Sequence, residues 1–264
     1  MATLETTKNK LRPSSAVVRT LVNSAALLGS LTLAPMPKAL AAPTIAIPGA
    51  QELHPISRAQ NQSWLKRHNN IMAKAAKGQY DVLLLGDSIT QGWELNHVAW
   101  DQEMKGIPQQ KVLNAGISSD RIEHILWRVE NGLLASSKPK VCVLMAGINN
   151  LALATPETIA GGIAKLIDAI KQRSPQTKVL VLGVLPSGQE ADHPRRSKIR
   201  AINSLLVQVA AASGSEFLDT GSRFLSPDGT LPETVSFDGV HLTRQGYEIW
   251  ASALKKPLRK MSRG

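Results

Sequence analysis

Four apolar residues, Val82-Leu83-Leu84-Leu85, run straight into Gly86-Asp87-Ser88 with no polar position among them. A run this short, bounded by turn residues, predicts a strand buried on both faces. Four more stretches read as strands: 111–116 (KVLNAG), 140–147 (KVCVLMAG), 178–186 (KVLVLGVLP) and 216–220 (EFLDT). Between them the apolar period lengthens to that of a helix. Pro156 sits at a first-turn position ahead of Ile159, Ile163, Leu166, Ile167 and Ile170, which share one face. Ile199, Ile202, Leu206 and Val209 repeat the design, and Gly214 closes it. Residues 57–77 are helix-like, and a last helix is expected from about Thr243 to Arg259. Strands alternating with helices imply an α/β fold, a parallel sheet with helices on both faces. Neither a repeat nor a second domain is visible.

The chain of 264 residues, 43% hydrophobic and 19% charged, is ample for one domain with a full core. Its single cysteine, Cys142, lies in an apolar run and reads as a core residue, so no disulfide framework is expected. The six histidines are scattered without metal-ligand spacing, and no metal is expected. The N-terminus differs. Lys8, Lys10, Arg12 and Arg19 precede a weakly polar run, and Ala39 and Ala41 match a small-x-small cleavage site. Residues 1–41 therefore read as a signal peptide, which implies export to a periplasmic or extracellular space. That run is too short and interrupted for a membrane span, so no transmembrane segment is expected in the mature chain. Residues 42–56 read as a linker or cover segment, and 57–264 as the functional domain. Of the net charge of +11, the first 41 residues hold +4. The remaining excess is densest at Lys255, Lys256, Arg259, Lys260 and Arg263, where cations suit a helix C-terminus. With three Phe and two Tyr there is no interleaved aromatic surface for bases, and nucleic acid is not an expected partner.

Each expected strand ends in a marked group. The first ends at Gly86-Asp87-Ser88, the second at Asn114-Ala115-Gly116 and the third at Gly147-Ile148-Asn149-Asn150. Near the C-terminus Asp238 stands three residues before His241. Taken alone, Asp87 or Ser88 reads equally well as a helix N-cap, Asn149 as a turn residue and His241 as a structural histidine. Together they supply what ester hydrolysis needs. Ser88 is a nucleophile once a base takes its proton, and His241 is the candidate base. Asp238 can hold the imidazole Nδ1–H and stabilise the imidazolium. Backbone N–H groups of Ser88 and Gly116, with the Asn149 amide, can serve an oxyanion. Glycine at 116 lets backbone approach without a Cβ in the way.

In these residues the chain resembles the SGNH hydrolases, or GDSL-type esterases, whose four blocks carry Ser, Gly, Asn and His: here Ser88, Gly116, Asn149 and His241, with Asp238 completing the Asp-x-x-His pair. It is most similar to the platelet-activating factor acetylhydrolase alpha-subunit-like esterases. The matching stretches are LLLGDSITQGW, NAGISSDRIEHILWRVENG, LGVLPSG, FLSPDGT and FDGVHLTRQGY, and the likeness spans roughly residues 57–258. The third block ends in Asn150 where the wider family carries Asp. The resemblance implies a three-layer α/β/α sandwich on a flavodoxin-like five-stranded parallel sheet. It also implies an esterase that needs no cofactor or metal, and a homodimer whose interface nothing here locates. The G-x-S-x-G turn of α/β-hydrolases and the phosphate loop of nucleotide-binding proteins are both absent. An exported enzyme fits a short-chain, acetyl-type oxygen ester, with an acetylated carbohydrate as substrate. The alternatives are a lysophospholipase or lipid acetylhydrolase, or a non-catalytic binding protein on the same fold. Trp93, Trp127 and Leu242 adjoin the blocks and are candidates for an acyl-pocket wall, or for core.

Overall fold

The computed structural model describes residues 46–263, apart from 105–106 and 108–110. The proposed signal peptide lies outside the described residues. Five parallel strands form one sheet: β1 (Val82–Gly86), β2 (Val112–Gly116), β3 (Val141–Met145), β4 (Lys178–Leu182) and β5 (Glu216–Leu218), in the spatial order β2-β1-β3-β4-β5. Among the described residues, seven α-helices flank it: α1 (Gln62–Lys77), α2 (Ser88–Gln91), α3 (His97–Glu103), α4 (Ile122–Arg128), α5 (Pro156–Arg173), α6 (Arg195–Ser213) and α7 (Arg244–Arg263). The period-2 alternation of a strand explains the unbroken apolar runs. Leu83 and Leu85 join Cys142, Leu144, Val179 and Val181 in a core beneath α1, α4, α5 and α6. Val82 and Leu84 join Val141, Val143, Leu180 and Leu182 in a second core beneath α2, α3 and α7. The fold is the expected three-layer α/β/α sandwich. Cys142 is fully buried, and burial pushes its thiol far above the ordinary range.

Local chemistry sets the boundaries. Asn61 caps α1, its side chain accepting from Trp64 N at 3.0 Å, so the helix begins five residues later than its pattern suggested. Thr155 caps α5 ahead of Pro156 at the first helical position, and Gly214 ends α6 at φ +60°. β4 stops at Leu182 rather than Pro186. The Val184 N–H goes to Asn203 Oδ1 at 2.8 Å, and Pro186 has no N–H to give. β5 stops at Leu218 because Asp219 Oδ1 accepts from Gly221 N at 2.8 Å and turns the chain.

Register fixes what stands beside what. Gly86 at the tip of β1 pairs with Gly116 on β2 and Met145 on β3. The strand order reverses at β1, so its carboxyl end opens between diverging connections, the position where open α/β sheets bind ligands. Residues 46–61, with no regular structure, lie over α4 and α5. Ile56 N donates to Glu123 O at 3.1 Å, Gln51 N to Thr158 Oγ1 at 2.9 Å, and Lys165 pairs with Glu52 at 2.5 Å. Among the described residues no helix is long and apolar enough to cross a membrane, and no group of three or more His, Cys, Asp or Glu side chains is placed to hold a metal ion.

Candidate active site

Ser88 is the first residue of α2, directly beyond the tip of β1. Asp87 is the N-cap, its Oδ1 accepting from Ile89 N at 3.0 Å. Capping and nucleophile readings therefore hold together: Asp87 caps, and Ser88 at the first helical position keeps a backbone N–H with no intrahelical acceptor. The Asp87 side chain is sealed from solvent, and its Oδ2 has no hydrogen-bond partner. Burial pushes its carboxyl up to about 7, against the pull of the Ile89 N–H; nearby Asp120 adds to the rise.

Across the site, Asp238 folds its own loop. Its Oδ1 accepts from the backbone N–H groups of Val240 (2.9 Å) and His241 (2.7 Å), and its Oδ2 lies 2.7 Å from His241 Nδ1. The three-residue spacing is what allows one carboxylate to shape the turn and orient the ring at once. Burial pushes the Asp238 carboxyl up, but its bonds from His241 and Val240 outweigh that and hold it below the ordinary value. An ionised carboxylate only accepts, so Nδ1 carries the proton and Nε2 of the neutral ring is an acceptor. Nε2 lies 2.9 Å from Ser88 Oγ. Behind the site Tyr247 ties α7 to α2, its hydroxyl donating to Ile89 O at 2.7 Å. Phe237, 61% exposed, stacks on His241 with centroids 6.0 Å apart and planes 18° apart. The side chains of Asp238 and His241 are each 41% exposed, so the site is open. A cavity of about 770 Å³ along α1 contains none of these three residues.

The other candidates lie on strand tips beside β1. Gly116 N donates to Asn114 Oδ1 at 2.9 Å, so this N–H is already engaged. Asn149, in the 3₁₀ turn after β3, gives one amide hydrogen to Asp120 O at 2.9 Å and keeps the other.

Glycine at 116 follows from backbone approach. A Cβ there would stand 2.3 Å from Gln91 N, 2.7 Å from Thr90 C and 2.8 Å from Asp87 O, all main-chain atoms of the cap and α2. Gly116→Ala must displace the helix that carries Ser88. It is expected to cost about 1–3 kcal/mol, the usual penalty of overpacking, and to lower kcat more than tenfold. Thermal denaturation and steady-state kinetics on the purified variant check this; an unchanged midpoint and kcat would show that α2 slides freely.

A family model for the GDSL-like lipase/acylhydrolase family matches residues 84–249. The chain belongs to that family. The human platelet-activating factor acetylhydrolase IB subunit alpha2 is 36% identical over 199 residues, covering 75% of this chain and 82% of that one. A GDSL-like lipase of Bacteroides thetaiotaomicron superposes with a TM-score of 0.58 at 23% identity, over 75% of this chain and 98% of that one. An acetyl-xylooligosaccharide esterase of Geobacillus superposes at 0.56 and 19% identity, over 70% and 96%. At those identities the two structures speak for the fold. The family and its acetylhydrolase relatives make this chain a carboxylic ester hydrolase of the SGNH superfamily.

In this GDSL-type hydrolase the structure brings Ser88, His241 and Asp238 into one hydrogen-bonded chain. Trp93 and Leu242 are core: Trp93 packs against Trp100, Tyr247 and Trp250, and Leu242 is buried in the same cluster. Trp127 packs against Trp64 and His68 in the other layer. Sequence reasoning missed what stands behind the site. Asp120 and Arg128 are both fully buried and face each other at 2.9 Å. Arg128 Nη1 donates to Ala115 O at 2.6 Å and Nη2 to Gly86 O at 3.3 Å, so one guanidinium holds the tips of β1 and β2. The signal available was Asp120 in GISSD and Arg128 in LWRVENG, inside a matched stretch.

Proposed function

We propose that this hydrolase removes short acyl groups, chiefly acetyl, from oxygen esters through a Ser88–His241–Asp238 triad and an acyl-enzyme. The hydrogen-bonded chain of 2.9 and 2.7 Å from Ser88 Oγ to Asp238 Oδ2 carries this reading. Ser88 Oγ attacks the ester carbonyl and its proton passes to His241 Nε2. Asp238 stabilises the imidazolium. The carbonyl electrons move onto oxygen, where the Ser88 N–H and the uncommitted Asn149 N–H donate to it; Gly116 N–H contributes as a donor shared with Asn114. Collapse expels the alcohol, which takes the proton back from His241. Water activated by the same ring then releases the acid and restores the serine. Each role falls to a group of this chain.

The preferred natural substrate in this reading is an acetylated carbohydrate. An open site, with an exposed phenyl ring beside the base, leaves room for a bulky alcohol. The shared fold of the acetyl-xylooligosaccharide esterase supports it by analogy. Export after removal of residues 1–41 fits the same setting. The name of the 36% identical relatives favours a second reading, a lipid acetyl ester. The test is kcat/KM for p-nitrophenyl acetate, butyrate and octanoate, an acetylated xylooligosaccharide and a 2-acetyl lysophospholipid. Acetyl should lead the series and the sugar ester should exceed the phospholipid. A preference for octanoyl overturns the short-acyl reading; a phospholipid preference selects the second.

Acidity supplies a further check. His241 must be neutral to accept the Ser88 proton, so kcat/KM should fall with unit slope on the acid limb. Asp238, held below the ordinary carboxylate value, stays ionised through that limb and adds no second step. Activity at pH 5 equal to that at pH 8 would remove His241 from the role of base.

A further inference from the structure

The loop from Ile117 to Arg121, between β2 and α4, is held from several sides beside the site. Ser119 within it has φ +60°, the sole positive φ of a non-glycine residue among those described. Such a conformation persists where surrounding contacts over-determine it. Here they do. Ile117 N donates to Gly86 O at 3.2 Å, and Ser118 N to Gln91 Oε1 at 2.8 Å. Arg58 Nη1 is shared between Ser118 O (3.0 Å) and Asp120 Oδ1 (3.1 Å). Asp120 Oδ1 also accepts from Trp64 Nε1 at 2.7 Å, while Oδ2 faces Arg128. The backbone carbonyl of Asp120 is the acceptor for Asn149 Nδ2. Next to Asn149, Asn150 Oδ1 accepts from Ile122 N at 3.1 Å and its amide donates to Glu123 at 2.7 Å, fastening the same turn to the start of α4.

A side-chain amide has two hydrogens and free rotation about its last torsion. Asn149 aims one hydrogen at a developing oxyanion only if the other is anchored, and the anchor is Asp120 O. That carbonyl can move only as far as the Asp120 carboxylate lets it. Both side chains that donate to the carboxylate, Arg58 and Trp64, come from outside the residues 84–249 that the family model matches; Arg128 holds it from within as an ion pair.

We infer that Asp120 is a positioning residue for Asn149, and that Arg58, on the segment lying over α4, sets how firmly it does so. This rests on the reading of Asn149 as an oxyanion donor. Arg58 is accessible for test because its side chain is 19% exposed and belongs to neither core.

The experiment is a double-mutant cycle on p-nitrophenyl acetate hydrolysis with Asn149→Ala, Arg58→Ala and the pair, joined by Arg58→Lys and Asp120→Asn. Removing one oxyanion donor lowers kcat about 10²–10³-fold, and that is expected for Asn149→Ala. Arg58→Ala should lower kcat about tenfold with KM within twofold, Arg58→Lys should recover part of the loss, and Asp120→Asn should act like Arg58→Ala. In the Asn149→Ala background Arg58→Ala should do nothing more, since coupled residues are not additive. An unchanged kcat in Asn149→Ala overturns the donor reading, and the inference with it. A loss in Asn149→Ala, combined with the same Arg58→Ala factor in both backgrounds or a pure KM effect, overturns the inference and leaves the donor reading standing. Should Arg58→Ala not fold, Arg58→Lys, which keeps the charge and leaves the buried Asp120–Arg128 pair intact, decides by the same criterion in the two backgrounds.

Discussion

Ser88→Ala is expected to lower kcat on p-nitrophenyl acetate by about 10⁴-fold or more, with circular dichroism and thermal midpoint unchanged. The Oγ removed is a half-buried atom whose one hydrogen bond is to His241 Nε2. Its loss leaves no cavity in either core and no buried partner without solvent, so stability should change by less than about 1 kcal/mol. The kinetic loss is large because nothing else in the site can form the acyl-enzyme. In a comparable triad, removing the serine alone costs on the order of 10⁶-fold and removing the histidine as well adds almost nothing. His241→Ala should therefore match Ser88→Ala, and the double variant should be no worse than either. What survives is the catalysis given by oxyanion donors and binding, roughly 10³–10⁴-fold over water. Retention of more than a tenth of wild-type turnover by folded Ser88→Ala would take the nucleophile's role from this residue.

The second large effect concerns stability. Arg128→Met keeps most of the stem volume but strips the guanidinium from Asp120, Ala115 O and Gly86 O. Burial pulls the Arg128 guanidinium down from its ordinary value, and the Asp120 charge pulls it back up. Each charge is tolerable inside the protein because of the other. Breaking a buried pair from one side costs about 3–5 kcal/mol. Arg58 and Trp64 still donate to Asp120, which places the expectation near the lower end of that range. Against a net stability of about 5–15 kcal/mol for a domain, the loss is severe. Denaturant unfolding of the variant measures it. Arg128→Met with Asp120→Asn should be less damaged than the sum of the singles, because the second change removes the stranded charge. A loss under about 1 kcal/mol for Arg128→Met would mean that the pair is not what holds the strand tips.

The parts of the molecule legible in the sequence are those governed by near neighbours along the chain. Strands buried on both faces announce themselves as apolar runs, and α5 and α6 show both their apolar stripe and their terminal residues. Asp238 and His241 are readable because their hydrogen bonds close within three residues. Ser88 is readable because a fully buried strand ends one residue before its cap. Arg128 was opaque for the opposite reason. In LWRVENG it looks like a polar helix position, and its burial is decided by carbonyls on two strands 13 and 42 residues away. Asn114 is similar. Read as the end of a strand, it turns out to engage the Gly116 N–H while its amide donates to Thr90 O at 2.9 Å, closing the C-terminal end of α2. Trp93 adjoins the nucleophile in sequence, yet the 3₁₀ turn at 92–94 carries it into the core with Trp100 and Trp250. Adjacency in sequence is a poor guide to which side of a layer a residue faces.

The segment at 46–61 has a practical bearing on protein engineering. A hydrolase of this kind is an attractive module to fuse or transplant, and the natural place to cut is where the recognisable domain begins. Here that cut would leave Trp64 and Arg58 behind. All five strands and the three residues Ser88, His241 and Asp238 would be present, but the first core would lose Trp64, Ile71 and Ala75 of α1. The Asp120 carboxylate would keep Arg128 but lose its donors from the other side. Such a graft should look intact by sequence inspection and turn over slowly, so a portable version must start upstream of residue 58.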